Sequence, residues 1–313
     1  MVGGLEVLTG LDGFLKILSD ALGIIIEPRK RIAISEAEKK VAKNANEILN
    51  NTDYPTTFDD GLLKMQSTKE DILARAKTRE NKRLMKKQNN LESVIGHTAK
   101  NIDEKDVLTP PTDEWVDRFF EYAENITTEK LQYLWGKVLA GELKKTGSFS
   151  LRTLDYLRSM SIKEAEEFQK ILPISIIIGN GDRCIVDEHT LYRKFEIDYP
   201  DLIKLINRGL LNKADKPIGF SQDQNPSNSI FIVYNNNYFL LSRRTKENQI
   251  IRLTMYVFTD IAKEIASIIT YKPADEYLQA MKDLLEKRDP SLSFEIEKLN
   301  PCPRKLPNCQ NDH

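Results

Sequence analysis

Between Asp113 and Leu157 the chain reads DEWVDRFFEYAENITTEKLQYLWGKVLAGELKKTGSFSLRTLDYL, and this stretch constrains the fold more than any other. Trp115, Val116, Phe119, Phe120 and Ala123 recur at helical spacing, as do Leu131, Leu134, Trp135, Val138 and Leu139. Apolar residues three and four apart line one face of a helix, so two helices are expected, each with a stripe that has to be covered. Asp113 and Glu114 suit the positive end of the first helix dipole, and Thr127 or Thr128 is placed to cap the second. Gly136, Ala140 and Gly141 add a small-residue face on which another backbone can come close. Each large side chain buried here contributes roughly 2–3 kcal/mol.

The glycines and lysines of this stretch also raise the question of a phosphate-binding loop. Such a loop needs G-x-x-x-x-G-K-[ST] after a strand. Here Gly136 and Gly141 are followed by Glu142, and the segment before them is helical. Lys144, Lys145 and Gly147 make a favourable helix end. Ser148 or Ser150 then opens a short helix carrying Leu151, Leu154 and Leu157, and Ser161 with Glu164 has capping-box spacing for the next. The segment reads as a packed corner. Glu142 and Arg152 are its polar interaction candidates, and the plainer expectation for them is a buried or half-buried ion pair fixing the corner.

Trp135, Leu139, Ala140, Gly141 and Glu142 lead into Gly147, Ser148, Phe149, Ser150, Arg152, Thr153 and Leu154, then Leu157 and the Glu164-Ala165 pair. This order resembles the signature of a bacterial family of proteins of unassigned function, and is more loosely similar to the Abi-alpha family linked with abortive infection. The resemblance spans residues 114–168. It implies a bacterial cytoplasmic protein in a phage-defence setting, with an amphipathic segment ahead of the module, and it brings no catalytic residues.

Near the start, Leu8, Leu11, Leu15, Leu18, Leu22 and Ile25 are spaced as a heptad seam. A core-facing amphipathic helix is expected, with Leu8, Leu15, Leu18 and Leu22 as seam candidates. Self-association, or attachment to a membrane surface through residues 5–26, are the alternatives. Against the membrane, Glu6, Asp12, Lys16 and Asp20 leave a negative balance, whereas anionic lipid favours a cationic polar face. A charged helix is expected from Pro28 to the Asn50-Asn51 pair, then a turn-rich loop, then a second charged helix from about Ser67. Between Lys69 and Lys87 eight basic residues face three acidic ones. Lys82, Arg83, Lys86 and Lys87 are the densest part of a stripe that is either a solvated helix face or a track for a phosphate backbone. No aromatic residue interrupts it to stack on bases.

After Leu172 the period changes to two. PISIIIGNGDRCIV and NSIFIVYNNNYFLLS read as hairpins, YPDLIKLINRGLLNK as a helix stopped at Gly209, and IIRLTMYVFTDIAKEIASIIT as a strand joined to a helix that Thr259 caps. This order is similar to a winged-helix one. Lys204 and Arg208 are opposed by Asp198 and Asp201, which makes a poor DNA recognition helix and favours protein interaction or structure.

The fold class expected is α+β and mainly helical. It comprises amphipathic and charged helices over 1–108 with a loop at 50–62, a helical motif module over 109–172, a winged-helix-like α+β module over 173–272, a C-terminal helix over 273–299 and a disordered tail over 300–313. The net charge of −1 excludes a global field for nucleic acid or anionic membranes. Cys184, Cys302 and Cys309 suit a reducing compartment, and Cys302, Cys309 and His313 fit no usual zinc spacing. No apolar run reaches membrane-spanning length and the start lacks a signal-peptide pattern, so the cytoplasm is expected, with the membrane periphery as the alternative. His97, His189 and His313 have no partners at catalytic spacing, and His189 reads as a turn histidine. No cofactor, metal or small-molecule substrate is indicated. The function expected is a non-enzymatic interaction or regulatory protein with a protein partner or self-association. A nucleic-acid-binding regulator and a membrane-acting effector are the alternatives.

Overall fold

The computed structural model describes residues 8–22, 57–59, 62–64, 69–178, 181–218, 229–234, 238–243, 251–288, 290 and 293–298. The charged helix expected after Pro28, the capping pair at Ser67 and the tail with Cys302, Cys309 and His313 lie outside them. The protein is α+β and mainly helical, and it divides into two compact units, 1–154 and 155–313. Among the described residues no helix is long and apolar enough to cross a membrane.

The first unit is helical. A short strand β1 (Leu8–Thr9) runs into α1 (Gly10–Leu22), and β1 pairs antiparallel with β4 (Val107–Leu108). The short strands β2 (Thr57–Asp59) and β3 (Leu62–Lys64) form a ribbon of their own. The heptad seam is corrected in two respects. Leu8 is not helical: it sits in β1 opposite Leu108. The face that α1 buries is Phe14, Ile17 and Leu18, with Leu15 half-buried at its edge. A helix that starts at Gly10 turns its apolar side by its own 3.6-residue period, and Phe14 and Ile17 are not on the leucine heptad. Leu22 closes the helix.

The long helix α2 (Lys69–Ala99) includes His97. It packs on α4 (Glu129–Lys144), which follows α3 (Asp113–Ala123). The small-residue face does what its composition suggested. A Cβ added at Gly136 would lie 2.6 Å from the Cβ of His97 and 2.9 Å from the backbone nitrogen of Thr98. Only a residue without a side chain allows the two helices to cross that closely. Trp115, Phe119 and Trp135 form the centre: Trp115 stacks on Phe119 at 5.0 Å and Phe119 lies 5.3 Å from Trp135. Buried polar groups close the crossing, with the Gln132 amide donating to Ile126 O at 2.8 Å and the Asn90 amide to Glu124 O at 2.8 Å.

In the second unit the strands β5 (Ile176–Ile178), β6 (Arg183–Val186), β7 (Leu211–Ile218), β8 (Ser229–Tyr234), β9 (Tyr238–Arg243), β10 (Ile251–Phe258) and β11 (Ser293–Lys298) form one sheet, in the order β11-β9-β8-β5-β6-β10-β7. All its pairings are antiparallel. Both expected hairpins are present as β5–β6 and β8–β9. Helix α5 (Leu151–Ser159) carries the chain across the unit boundary, and α6 (Ile162–Ile171) begins with the Ser161–Glu164 capping box. A one-turn helix α7 (His189–Tyr192) follows β6, and α8 (Tyr199–Asn207) stops at Gly209, where φ is +73°. Thr259 caps α9 (Asp260–Ile268), accepting from Ala262 N at 3.3 Å. The helix–ribbon–helix order that reads as winged-helix-like is thus present, but its strands belong to the seven-stranded sheet and not to a separate short wing. The C-terminal helix is also shorter than expected: α10 (Asp275–Arg288) ends well before 299, and β11 pairs with β9 instead.

Gly136→Ala should destabilise the first unit by about 1–3 kcal/mol, because the neighbour across the crossing is backbone and cannot turn aside. Denaturant unfolding checks this, with Ala140→Gly as a comparison at a buried position of the same helix.

Candidate interaction surface

The 141–150 corner owes its shape to one carboxylate. Glu142 is buried, 2% exposed, and its Oε1 accepts from Gly147 N at 2.7 Å while Oε2 accepts from Phe149 N at 2.9 Å. Gly147 turns the chain with φ +85°, a value that a side chain would strain. The Phe149 ring lies against Gly141, where an added Cβ would come within 2.7 Å of it, and Trp115 Nε1 donates to Phe149 O at 2.8 Å. Ser150 opens α5, its Oγ accepting from Thr153 N at 3.3 Å. The backbone N–H groups that a phosphate would need therefore already hold an internal anion. Arg152, expected as the partner of Glu142, is exposed on α5, and two backbone bonds fix the corner.

The basic stripe falls on α2, whose two halves differ. Contacts with α3 and α4 run from Lys87, paired with Glu124, through Asn90 and Val94 to His97 and Thr98. His97 sits edge-on to Tyr133 at 5.6 Å, and burial, with Lys100 beside it, lowers its pKa. Before Lys87 the side chains turn outward. Arg83 and Lys86 are exposed and Lys82 half-exposed, and Ile72 (53%), Leu73 (61%), Leu84 (55%) and Met85 (42%) are exposed as well. Of the four basic candidates, three face solvent and one, Lys87, belongs to the packing. Ile72, Arg75, Ala76, Thr78, Arg79 and Lys82 line a cavity of about 440 Å³, and three cations in that lining suit an anionic occupant.

Several charges of the second unit are engaged within it. Arg208 reaches Glu164 at 3.1 Å and also pairs with Glu167, tying the end of α8 to α6. Lys204 pairs with Asp201 at 3.0 Å on its own helix. Asp187 accepts from Tyr256 Oη at 2.9 Å and pairs with Lys213 at 2.7 Å, which raises the lysine pKa. The Arg208 and Asp187 clusters were not visible in the sequence, because each joins residues more than 25 positions apart. Cys184 is buried with its thiol 3.3 Å from Met255 Sδ, while His189 is exposed at the start of α7, so the local Cys–His proximity in sequence builds no catalytic pair. Among the described residues no group of three or more His, Cys, Asp or Glu side chains is placed to hold a metal.

The model of the family described as "Protein of unknown function (DUF2806)" matches residues 74–282, about two-thirds of the chain, and the chain belongs to that family. Among curated proteins and among solved structures, nothing matches the chain.

Replacing Glu142 with Gln should lower stability by about 1.5–3 kcal/mol, since one charge-assisted acceptor for a buried backbone N–H is lost. Chemical denaturation measures it. A second expectation concerns acid. The Ser161 N–H and hydroxyl and the Arg208 guanidinium hold the Glu164 carboxyl below its usual range, against the opposing effect of burial. A depressed carboxylate stabilises the fold above its unfolded pKa, about 4.3, and the contribution is lost as pH falls through the lower folded value. Glu164→Gln should therefore flatten the acid limb of the stability–pH curve below that point, as followed by thermal unfolding.

Proposed function

We propose that this DUF2806 protein acts by holding a partner and not by turning over a substrate, and that its contact surface is the leading half of α2. One observation carries this reading. A single helix is locked into the core by Asn90, Val94 and Thr98, yet shows Leu73, Arg83, Leu84 and Lys86 to solvent about one to five turns before Asn90. A run of cations with large apolar side chains beside it offers a partner both a complementary charge and apolar area to cover. The rest of the molecule supports it, because Glu142, Arg208 and Asp187, the polar groups best placed to do chemistry, are engaged in bonds that hold the fold.

The setting we propose is a regulatory component of bacterial antiviral defence, in the cytoplasm, and it rests on the resemblance carried by residues 114–168. A membrane-acting role for residues 5–26 has less support: Phe14, Ile17 and Leu18, which a lipid surface would need, are buried in the first unit.

A photo-crosslinking amino acid placed at Arg79 or Arg83 in living cells should yield covalent adducts on irradiation, and one at the exposed Lys163 should not. Absence of adducts at both positions on α2 would end this reading. So would nucleotide or nucleic-acid turnover by the purified chain that a point substitution abolishes.

A further inference from the structure

We infer that the partner of the leading half of α2 is double-stranded DNA, gripped through its phosphates with the helix seated along the major groove. This rests on the contact surface proposed above and names what it binds. Arg75, Arg79, Lys82 and Lys86 follow one line of the helix at spacings of four, three and four, with Arg83 beside it. These five cations lie within about 16 Å of helix length, and a sixth, Lys77, lies on the opposite side. The one acid inside that stretch, Glu80, projects roughly 100° or more away from the Arg75–Lys86 line. Lys87 takes no part, since Glu124 already holds it.

Other occupants fit less well. A second copy, or an amphipathic helix, would need apolar residues at heptad spacing. Leu73 and Leu84 share one face, but Lys77 and Glu80 lie between them there and Ile72 and Met85 point elsewhere, so only the cations form a continuous ridge. Single-stranded nucleic acid is gripped by aromatic stacking, and no aromatic residue occurs between Lys69 and Lys87. Duplex RNA presents a deep, narrow major groove that a helix does not enter, whereas the groove of B-form DNA, about 12 Å wide, admits one. The exposure of Leu73, Lys77 and Glu80 as well as Arg83 and Lys86 leaves the helix open on more than one side, as groove entry requires. Three of the ridge cations, Arg75, Arg79 and Lys82, line one cavity. Because the ridge is made of cations alone, binding is led by phosphates and varies little with sequence.

The test is fluorescence anisotropy of the full chain with a labelled 30-base-pair DNA duplex across 50–200 mM salt. Five phosphate contacts give a slope near −4.5 in the logarithm of the association constant against the logarithm of salt, or about a 500-fold loss over that range. The quadruple reversal Arg79→Glu, Lys82→Glu, Arg83→Glu, Lys86→Glu should abolish binding while leaving the melting temperature in place. Arg79→Lys with Arg83→Lys, which keeps the charge, should stay within a few-fold of the native chain. No binding at 50 mM salt overturns the inference, as does binding that survives the reversal or a duplex RNA bound as tightly as DNA. Cellular adducts to a protein from position 79 or 83, with no DNA affinity in solution, would leave the contact surface standing and sink this identification of its partner.

Discussion

A carboxylate taken out of water is stable only if its oxygens find strong donors, and Glu142 finds them in the backbone of its own corner. Its bonds to Gly147 and Phe149 fix the direction in which the chain leaves α4. They also press the Phe149 ring on Gly141 and place Phe149 O where Trp115 Nε1 meets it. Trp115 in turn stacks on Phe119, and Phe119 on Trp135, so that the anion at the corner and the aromatic centre of the unit are one connected arrangement. The glycine-rich stretch is occupied from within, which is why it has no role left as a phosphate cradle.

The same logic separates the two halves of α2. Where the helix crosses α4, every feature serves close approach: a glycine opposite His97 and Thr98, an amide pair at Asn90 and Gln132, and an ion pair at Lys87. Where it does not, the cations stay hydrated and large apolar side chains remain in water with no packing to offset their exposure. Several cations of the second unit are engaged instead. Arg208, Lys204 and Lys213 each have a carboxylate within reach, and they brace the sheet unit. The outward-facing cations on the leading half of α2 differ in this from Arg208, Lys204 and Lys213.

The central motif was legible because its information is local. Helical spacing of Trp115 to Leu139, the Ser161–Glu164 box, the Thr259 cap and the stops at Gly147 and Gly209 are all set by neighbours within a few residues. The small-residue face of Gly136 could be read as a place for a close backbone, although not whose backbone it would be. Where a reading failed, the deciding contact was distant. Leu8 left its heptad for a strand because Leu108 offers it a ladder. Glu142 was expected to meet the charge of Arg152, but nearer donors in the turned backbone took its oxygens, and no side-chain spacing announces those.

By itself, then, the chain order determined the central helices, the two hairpins, the caps at Ser161 and Thr259 and the stops at Gly147 and Gly209, and it excluded a phosphate loop, since periodicity, capping and turn chemistry act over one or two turns. Tertiary structure alone decided that seven strands share one sheet, that α2 is half core and half surface, and that Arg208 and Asp187 are structural. Those outcomes depend on groups more than 25 residues apart competing for the same partners, and the free energy of that competition exists only once the chain has brought them together.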